Sequence, residues 1–152
     1  MRILMVCLGN ICRSPIAEGV LQHLADKHSL PWSVDSAGTE SYHIGEAPHR
    51  FSQKICKEKG IDIAHQRARK FTKEDVHRYD KIYALADDVL EEIKSITGQN
   101  FDATKIDLLL NELHPGMNQS VPDPWYGGEE GYLPVFEMIE AACKALISKY
   151  RQ

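Results

Sequence analysis

The sequence predicts an α/β fold around a parallel sheet, and three observations carry that prediction. Short apolar segments alternate with longer segments whose apolar residues recur every three or four positions, the pattern of strands joined by crossover helices. The first short segment, RILMV, is unbroken in its apolar character from Ile3 to Val6, as expected of a strand covered on both faces. From its carboxyl end a ten-residue stretch, VCLGNICRSP (Val6–Pro15), leads straight into a helical pattern, and open α/β sheets place their sites at such strand ends.

After the opening strand, SPIAEGVLQHLADKH brings Ile16, Val20, Leu21 and Leu24 to one helical face, with Pro15 suited to the first turn. WSVDS, from Trp32, reads as the second strand. The segment Ser36–Pro48 (SAGTESYHIGEAP) is too long for a plain connection and sits at another strand end. Pro48 opens a second helix, HRFSQKICKEKG, that Gly60 ends. DKIYALA is the third strand and DDVLEEIKSITG a helix with acidic residues in its first turn, a solvated helix start. KIDLLL is the fourth strand. LPVFEMIEAACKALISKY closes the chain as an amphipathic helix with Phe136, Ile139, Cys143, Leu146 and Tyr150 on its apolar stripe. There is no repeat, linker or low-complexity segment, so residues 1–152 are expected to form one domain.

Composition narrows the function. A net charge of −4 excludes a general nucleic-acid footprint, so any anion site must be a local positive pocket. No apolar run approaches the ~20 residues of a membrane span. MRILMVC is too short for a signal-peptide core, and the four cysteines (Cys7, Cys12, Cys56, Cys143) are expected to be reduced in the cytoplasm. Cys7 and Cys12 lack metal-ligand spacing, as do the seven histidines, so neither a metal nor another cofactor is expected.

The chemistry concentrates in the opening loop. Cys7 and Arg13 stand in a C-x5-R spacing on a loop that enters a helix N-terminus, where successive backbone N–H groups can turn inward on an anion. Gly9 permits the dihedrals and the close approach, and Asn10 tolerates a left-handed conformation while bonding the loop from within. The planar Arg13 fork can clamp two phosphate oxygens. A helix N-terminus and a nearby cation favour a cysteine as its thiolate, the form that attacks phosphorus. Ser14 either donates to that thiolate or caps the helix, and the two roles are compatible. Thiolate attack on a phosphate ester needs an acid for the departing oxygen. Asp123, held between two prolines in VPDPWYGG, has a constrained direction, and Trp125 and Tyr126 beside it offer aromatic walls.

These motifs carry a family resemblance. VCLGNICRSP, SAGT (Ser36–Thr39), GIDIAHQRAR (Gly60–Arg69) and DPWYGG occur in the order found in the low-molecular-weight protein tyrosine phosphatases, and the resemblance spans nearly the whole chain. It implies a four-stranded parallel sheet with helices on both faces, flavodoxin/Rossmann-like. It implies a metal-free, two-step hydrolysis of phosphotyrosine in proteins and of small aryl phosphates. Cys7 would form a phosphocysteine, and Asp123 would protonate the tyrosyl oxygen and then activate water. Amides of Leu8 to Ser14 and the Arg13 side chain would hold the phosphoryl oxygens, so that Gly9, Asn10, Ile11 and Cys12 belong to the phosphate-binding loop. Asn10, Ser14, Ser36 and His65 match positions that brace the loop, and Leu8, Ile11, Tyr42, His43, Trp125 and Tyr126 match the cleft walls. The chain departs from the family pattern at Tyr42, usually Trp, and at Ala86 and Val89, where the family often has Asp and Asn.

Cys12 admits three readings: a small buried filler, a resolving thiol that captures oxidised Cys7, or a second catalytic thiol. Cys56 and Cys143 are expected in the core. Arsenate reduction on the same fold would need further cysteines between Leu85 and Gly98, and there are none. A phosphoarginine phosphatase tends to carry Thr where this chain has Ile11, whose apolar side favours an aryl group. A decayed phosphoprotein-binding module is disfavoured by the joint presence of Cys7, Arg13 and Asp123. The expected assembly is a monomer or weak dimer acting on tyrosine-phosphorylated proteins.

Overall fold

Four parallel strands form one sheet: β1 (Arg2–Cys7), β2 (Ser33–Gly38), β3 (Lys81–Ala84) and β4 (Ile106–Leu108), in the order β2-β1-β3-β4. The structure is a computed structural model that describes residues 1–151. The central position of β1 explains its unbroken apolar run. Ile3 and Met5 point into one core and Leu4 and Val6 into the other, all fully buried. Burying each such side chain is worth about 2 kcal/mol relative to exposure.

Helices α1 (Arg13–Lys27), α2 (Arg50–Glu58) and α5 (Tyr132–Arg151) pack with Ile3 and Met5. Helices α3 (Asp75–Arg78) and α4 (Asp87–Thr97) contribute Val76, Val89 and Ile93 to the opposite core. The chain runs from β1 to β2 on one side, then crosses to β3 and β4 on the other. This direction change leaves a crevice outside the carboxyl ends of β1 and β3. No described helix is long and apolar enough to cross a membrane.

Several boundaries differ from the sequence pattern for local reasons. α2 starts at Arg50 rather than Pro48, because His49 is extended and its Nδ1 accepts from the Phe51 N–H at 3.1 Å. It stops at Glu58, and Gly60 turns the chain at φ 79°. KIDLLL is a strand only to Leu108; Leu109–Glu112 form a 3-10 turn, with Leu109 buried in the α5 core. The single turn α3 has no periodic signature. Its fully buried Asp75 is held by two contacts of 3.1 Å from Arg69 and accepts from the Thr72 N–H at 2.9 Å. At the start of α4, Ala86 offers no side-chain cap, and the Asp87 N–H bonds Ser120 Oγ at 2.9 Å instead. Val89 is wholly buried in the second core, where the family's usual polar residue would have no place in water. Cys56 and Cys143 are buried, as their helical positions predict.

Candidate active site

The loop from Leu8 to Cys12 lies across the carboxyl end of β1, and α1 begins at Arg13 with Cys12 in the N-cap position. Ser14 therefore lies inside the first helical turn, and the capping role is not its own. The left-handed residue is Asn10 (φ 59°), whereas Gly9 is not among the residues with positive φ. Gly9 gives clearance: a Cβ there would approach His43 Cδ2 to 3.0 Å, so the imidazole would have to give way. Gly38 at the end of β2 is tighter still, since its Cβ would lie 2.8 Å from the Leu8 carbonyl oxygen. The Thr39 N–H bonds the Cys7 carbonyl at 3.0 Å and the Glu40 N–H bonds that of Leu8 at 2.9 Å, so the SAGT segment supports the loop along its backbone.

Inside the loop the polar groups form one chain. Cys7 Sγ lies 3.0 Å from Ser14 Oγ. Asn10 Nδ2 donates to Ser14 Oγ at 2.8 Å and to Ser36 Oγ at 2.9 Å, and Asn10 Oδ1 accepts from the Arg69 N–H at 3.0 Å. Thus Asn10, Ser14 and Ser36 come together as the resemblance implies. His65 does not join them: it is exposed and makes no hydrogen bond to the loop among the described residues. The neighbouring Gln66 faces inward instead, with Nε2 donating to the Pro15 carbonyl at 3.1 Å. Adjacent loop residues point in opposite directions, and the sequence pattern does not distinguish them.

Arg13 is buried, its Nη1 donating to the Val121 carbonyl at 3.0 Å and its Nη2 lying 3.5 Å from Asp123 Oδ2. Val121 is itself pinned, its N–H bonding the Leu85 carbonyl at 2.8 Å, while the Leu85 N–H bonds that of Val6 at 2.9 Å. This ladder brings the VPDPWYGG segment over the ends of β1 and β3. Asp123 is extended, as the following proline demands, and Oδ1 accepts from the Trp125 N–H at 3.0 Å. The carboxylate therefore has a fixed direction at the rim and is 23% exposed.

Cys7, Arg13 and Asp123 line a common cleft of about 150 Å³ with Leu8, Gly9, Ile11 and Cys12 at its base and Tyr42, Trp125 and Tyr126 at its mouth. The mouth residues are exposed, Tyr126 at 81% and Tyr42 at 76%. Trp125 stands between two imidazoles, His43 at 5.7 Å and His49 at 5.5 Å between ring centroids. His43 borders the cleft beside Gly9 and Trp125, with its Nδ1 2.7 Å from Glu46. His49 escapes a motif reading, because its contact with Trp125 depends on its position as the cap of α2. A larger hollow of about 550 Å³ along α2, lined by Arg50, Gln53, Lys54 and Lys57, shares no residue with this cleft and holds no nucleophile.

Cys12 Sγ lies 3.5 Å from Tyr132 Oη, and burial pushes the Cys12 thiol up to about 11. At neutral pH it keeps its proton and does not compete as a nucleophile. The same burial pushes the Tyr132 phenol up. Burial and the neighbouring Arg50 hold the His49 imidazole below its usual range, so it presents a neutral ring to Trp125.

The chain is similar to proteins named for two kinds of phosphatase activity. The family model described as low molecular weight phosphotyrosine protein phosphatase matches residues 2–152. A low molecular weight phosphotyrosine protein phosphatase from Gallus gallus is 38% identical over 149 residues, 97% of this chain and 94% of the relative. A solved protein tyrosine phosphatase from Entamoeba histolytica superposes with a TM-score of 0.90 at 36% identity, over 99% of this chain and 97% of that one. A Drosophila arginine phosphatase superposes with a TM-score of 0.91 at 30% identity, over 100% and 99%.

Proposed function

Because the chain belongs to the low molecular weight phosphotyrosine protein phosphatase family, we propose that its cleft hydrolyses tyrosyl phosphate by way of a phosphoryl group carried on Cys7. It is an enzyme, a hydrolase of phosphotyrosine. The observation that carries the residue assignment is the convergence of Cys7, Arg13 and Asp123 on one cleft from segments more than a hundred residues apart.

The Cys7 sulfur attacks phosphorus while the loop amides and the Arg13 fork take up charge on the three non-bridging oxygens. The tyrosyl oxygen leaves toward Asp123, which supplies its proton; the S–P bond forms as the P–O bond breaks. The Ser14 hydroxyl, 3.0 Å from the sulfur, stabilises the thiolate before attack and again as it leaves. In the second step Asp123 takes a proton from water, the water oxygen attacks phosphorus, and the thiolate and inorganic phosphate are released. Arg13 is held through Nη1 by Val121, so its fork is oriented before substrate arrives.

The apolar Ile11 and the aromatic mouth favour a phenyl ring over a guanidinium, and this supports tyrosyl over arginyl phosphate. Turnover of matched phosphotyrosyl and phosphoarginyl peptides tests it: kcat/KM for the tyrosyl peptide should be the larger by at least about tenfold, the scale of a lost aromatic contact of 1–2 kcal/mol. A preference for phosphoarginine would overturn the substrate assignment and leave the mechanism standing. Residues 1–152 are read as one catalytic domain whose chemistry needs no second copy, consistent with a monomer or weak dimer. The four buried free thiols suit the reducing cytoplasm.

A further inference from the structure

The hydrogen-bond chain behind the phosphate loop does not end at Ser36. Ser36 Oγ donates to Glu18 Oε1 at 2.7 Å. The backbone fixes the direction of the amide in this chain. The Arg69 N–H bonds Asn10 Oδ1, so the amide turns its NH2 toward both serines. Each serine oxygen accepts one of those hydrogens and must place its own elsewhere. Among the described residues Ser36 has Glu18 as its acceptor, and Ser14 has Cys7 Sγ at 3.0 Å against a carbonyl of Ala37 at 3.5 Å. Take away the Glu18 acceptor and the Ser36 hydroxyl turns back on Asn10, competing with the arrangement that aims Ser14 at sulfur.

We propose that Glu18 is a positioning residue for the phosphate-binding loop: its carboxyl accepts the Ser36 proton and so orders Ser36, Asn10 and Ser14, and the negative charge it gains on ionisation weakens the loop's hold on a tetrahedral dianion. The proposal rests on the reading of that loop as an oxyanion site. Burial pushes the Glu18 carboxyl up to about 7; Asp35 on β2 pushes the same way, while the Ser36 hydrogen bond and Arg69 oppose it. His65, Arg67 and Arg69 share one hollow with Glu18, and His23, Asp26 and Asp62 share another. None of these cations forms an ion pair with Glu18.

Gln66 lines both hollows beside Glu18. Its Oε1 is buried without a hydrogen-bond partner among the described residues. At this inward-facing position the chain has a neutral amide, and the imidazole of His65 lies outside. A second negative charge therefore stands behind the loop once Glu18 ionises. Its repulsion of a bound dianion, screened by the protein and solvent between them, should weaken dianion binding roughly three- to tenfold.

The test uses sulfate, whose charge does not change over the pH range of interest, and the carbon-13 titration of Glu18 in labelled enzyme. Linkage is reciprocal, so saturating sulfate should raise the Glu18 midpoint by about half a unit to one unit. The Glu18→Gln variant identifies the resonance, and its sulfate inhibition constant should lack the three- to tenfold rise that the parent shows across neutral pH. A Glu18 midpoint indifferent to bound sulfate, or the same rise in Glu18→Gln, overturns the proposal. Failure of sulfate to bind at any pH would overturn the oxyanion site as well, so the two failures are distinguishable.

Discussion

At Asn10 the backbone takes a left-handed turn, and the amide above it makes three hydrogen bonds, to Ser14, Ser36 and the Arg69 backbone. A loop that must point its N–H groups inward needs such a residue, and the side chain supplies the internal scaffold that glycine lacks. The motif made Asn10 and Ser14 legible in the sequence. It did not show that Gly9 serves clearance for His43, or that the buried neighbour of His65 is Gln66, because both depend on which way a side chain faces. At this scale the acid role of Asp123 is testable by leaving-group dependence. Asp123→Ala should slow poor aryl leaving groups by about 10²–10⁴-fold and good ones far less, in line with general-acid contributions. Equal losses across a series of phenyl phosphates would argue against a proton donor.

The site is built where three elements end: β1 carries Cys7, α1 starts at Arg13, and β2 ends in Gly38 against the loop. The first two junctions were plain in the sequence, since an unbroken apolar strand followed by C-x5-R and a helical pattern permits few arrangements. The β2 junction was not, because close approach of two backbones leaves only a glycine as its trace. Gly38→Ala should displace the Leu8 carbonyl, lower kcat/KM by about tenfold or more, and leave the helices intact by circular dichroism, since the clash is local. Activity equal to that of the parent would show that the loop tolerates the shift. α3 was illegible for a different reason: one turn has no period, and its place is set by the buried Asp75 held by Arg69.

Over the whole molecule, the direction change in strand order brings residues 7–14, 36–43 and 121–126 to one end of the sheet. Periodicity predicts the sheet and all its helices but α3; the pairing of Asp123 with Cys7 follows from the need of thiolate attack for an acid and from the family resemblance, because no local pattern encodes a contact over that separation. Burial of Glu18 also has a consequence for the stability of the whole fold. Its native carboxyl holds a proton up to about 7, while the unfolded chain releases it in the ordinary carboxylate range. The native state therefore binds more protons in between, and this group's contribution is full below that range and lost as pH rises through about 7. Against Glu18→Gln as reference, urea denaturation should show the parent losing roughly 2 kcal/mol between about pH 4 and 8. A relative gain over that interval would contradict the assigned protonation.

The central claim is that the phosphoryl group passes through Cys7. Its most direct test is rapid quench into alkaline denaturant during turnover of p-nitrophenyl phosphate, followed by peptide mass spectrometry. The phosphoryl group should be found on the peptide bearing Cys7 and on that residue, with Cys7→Ser inactive yet still binding sulfate. Undiminished turnover by Cys7→Ser, or steady turnover with Cys7 never modified, would contradict it.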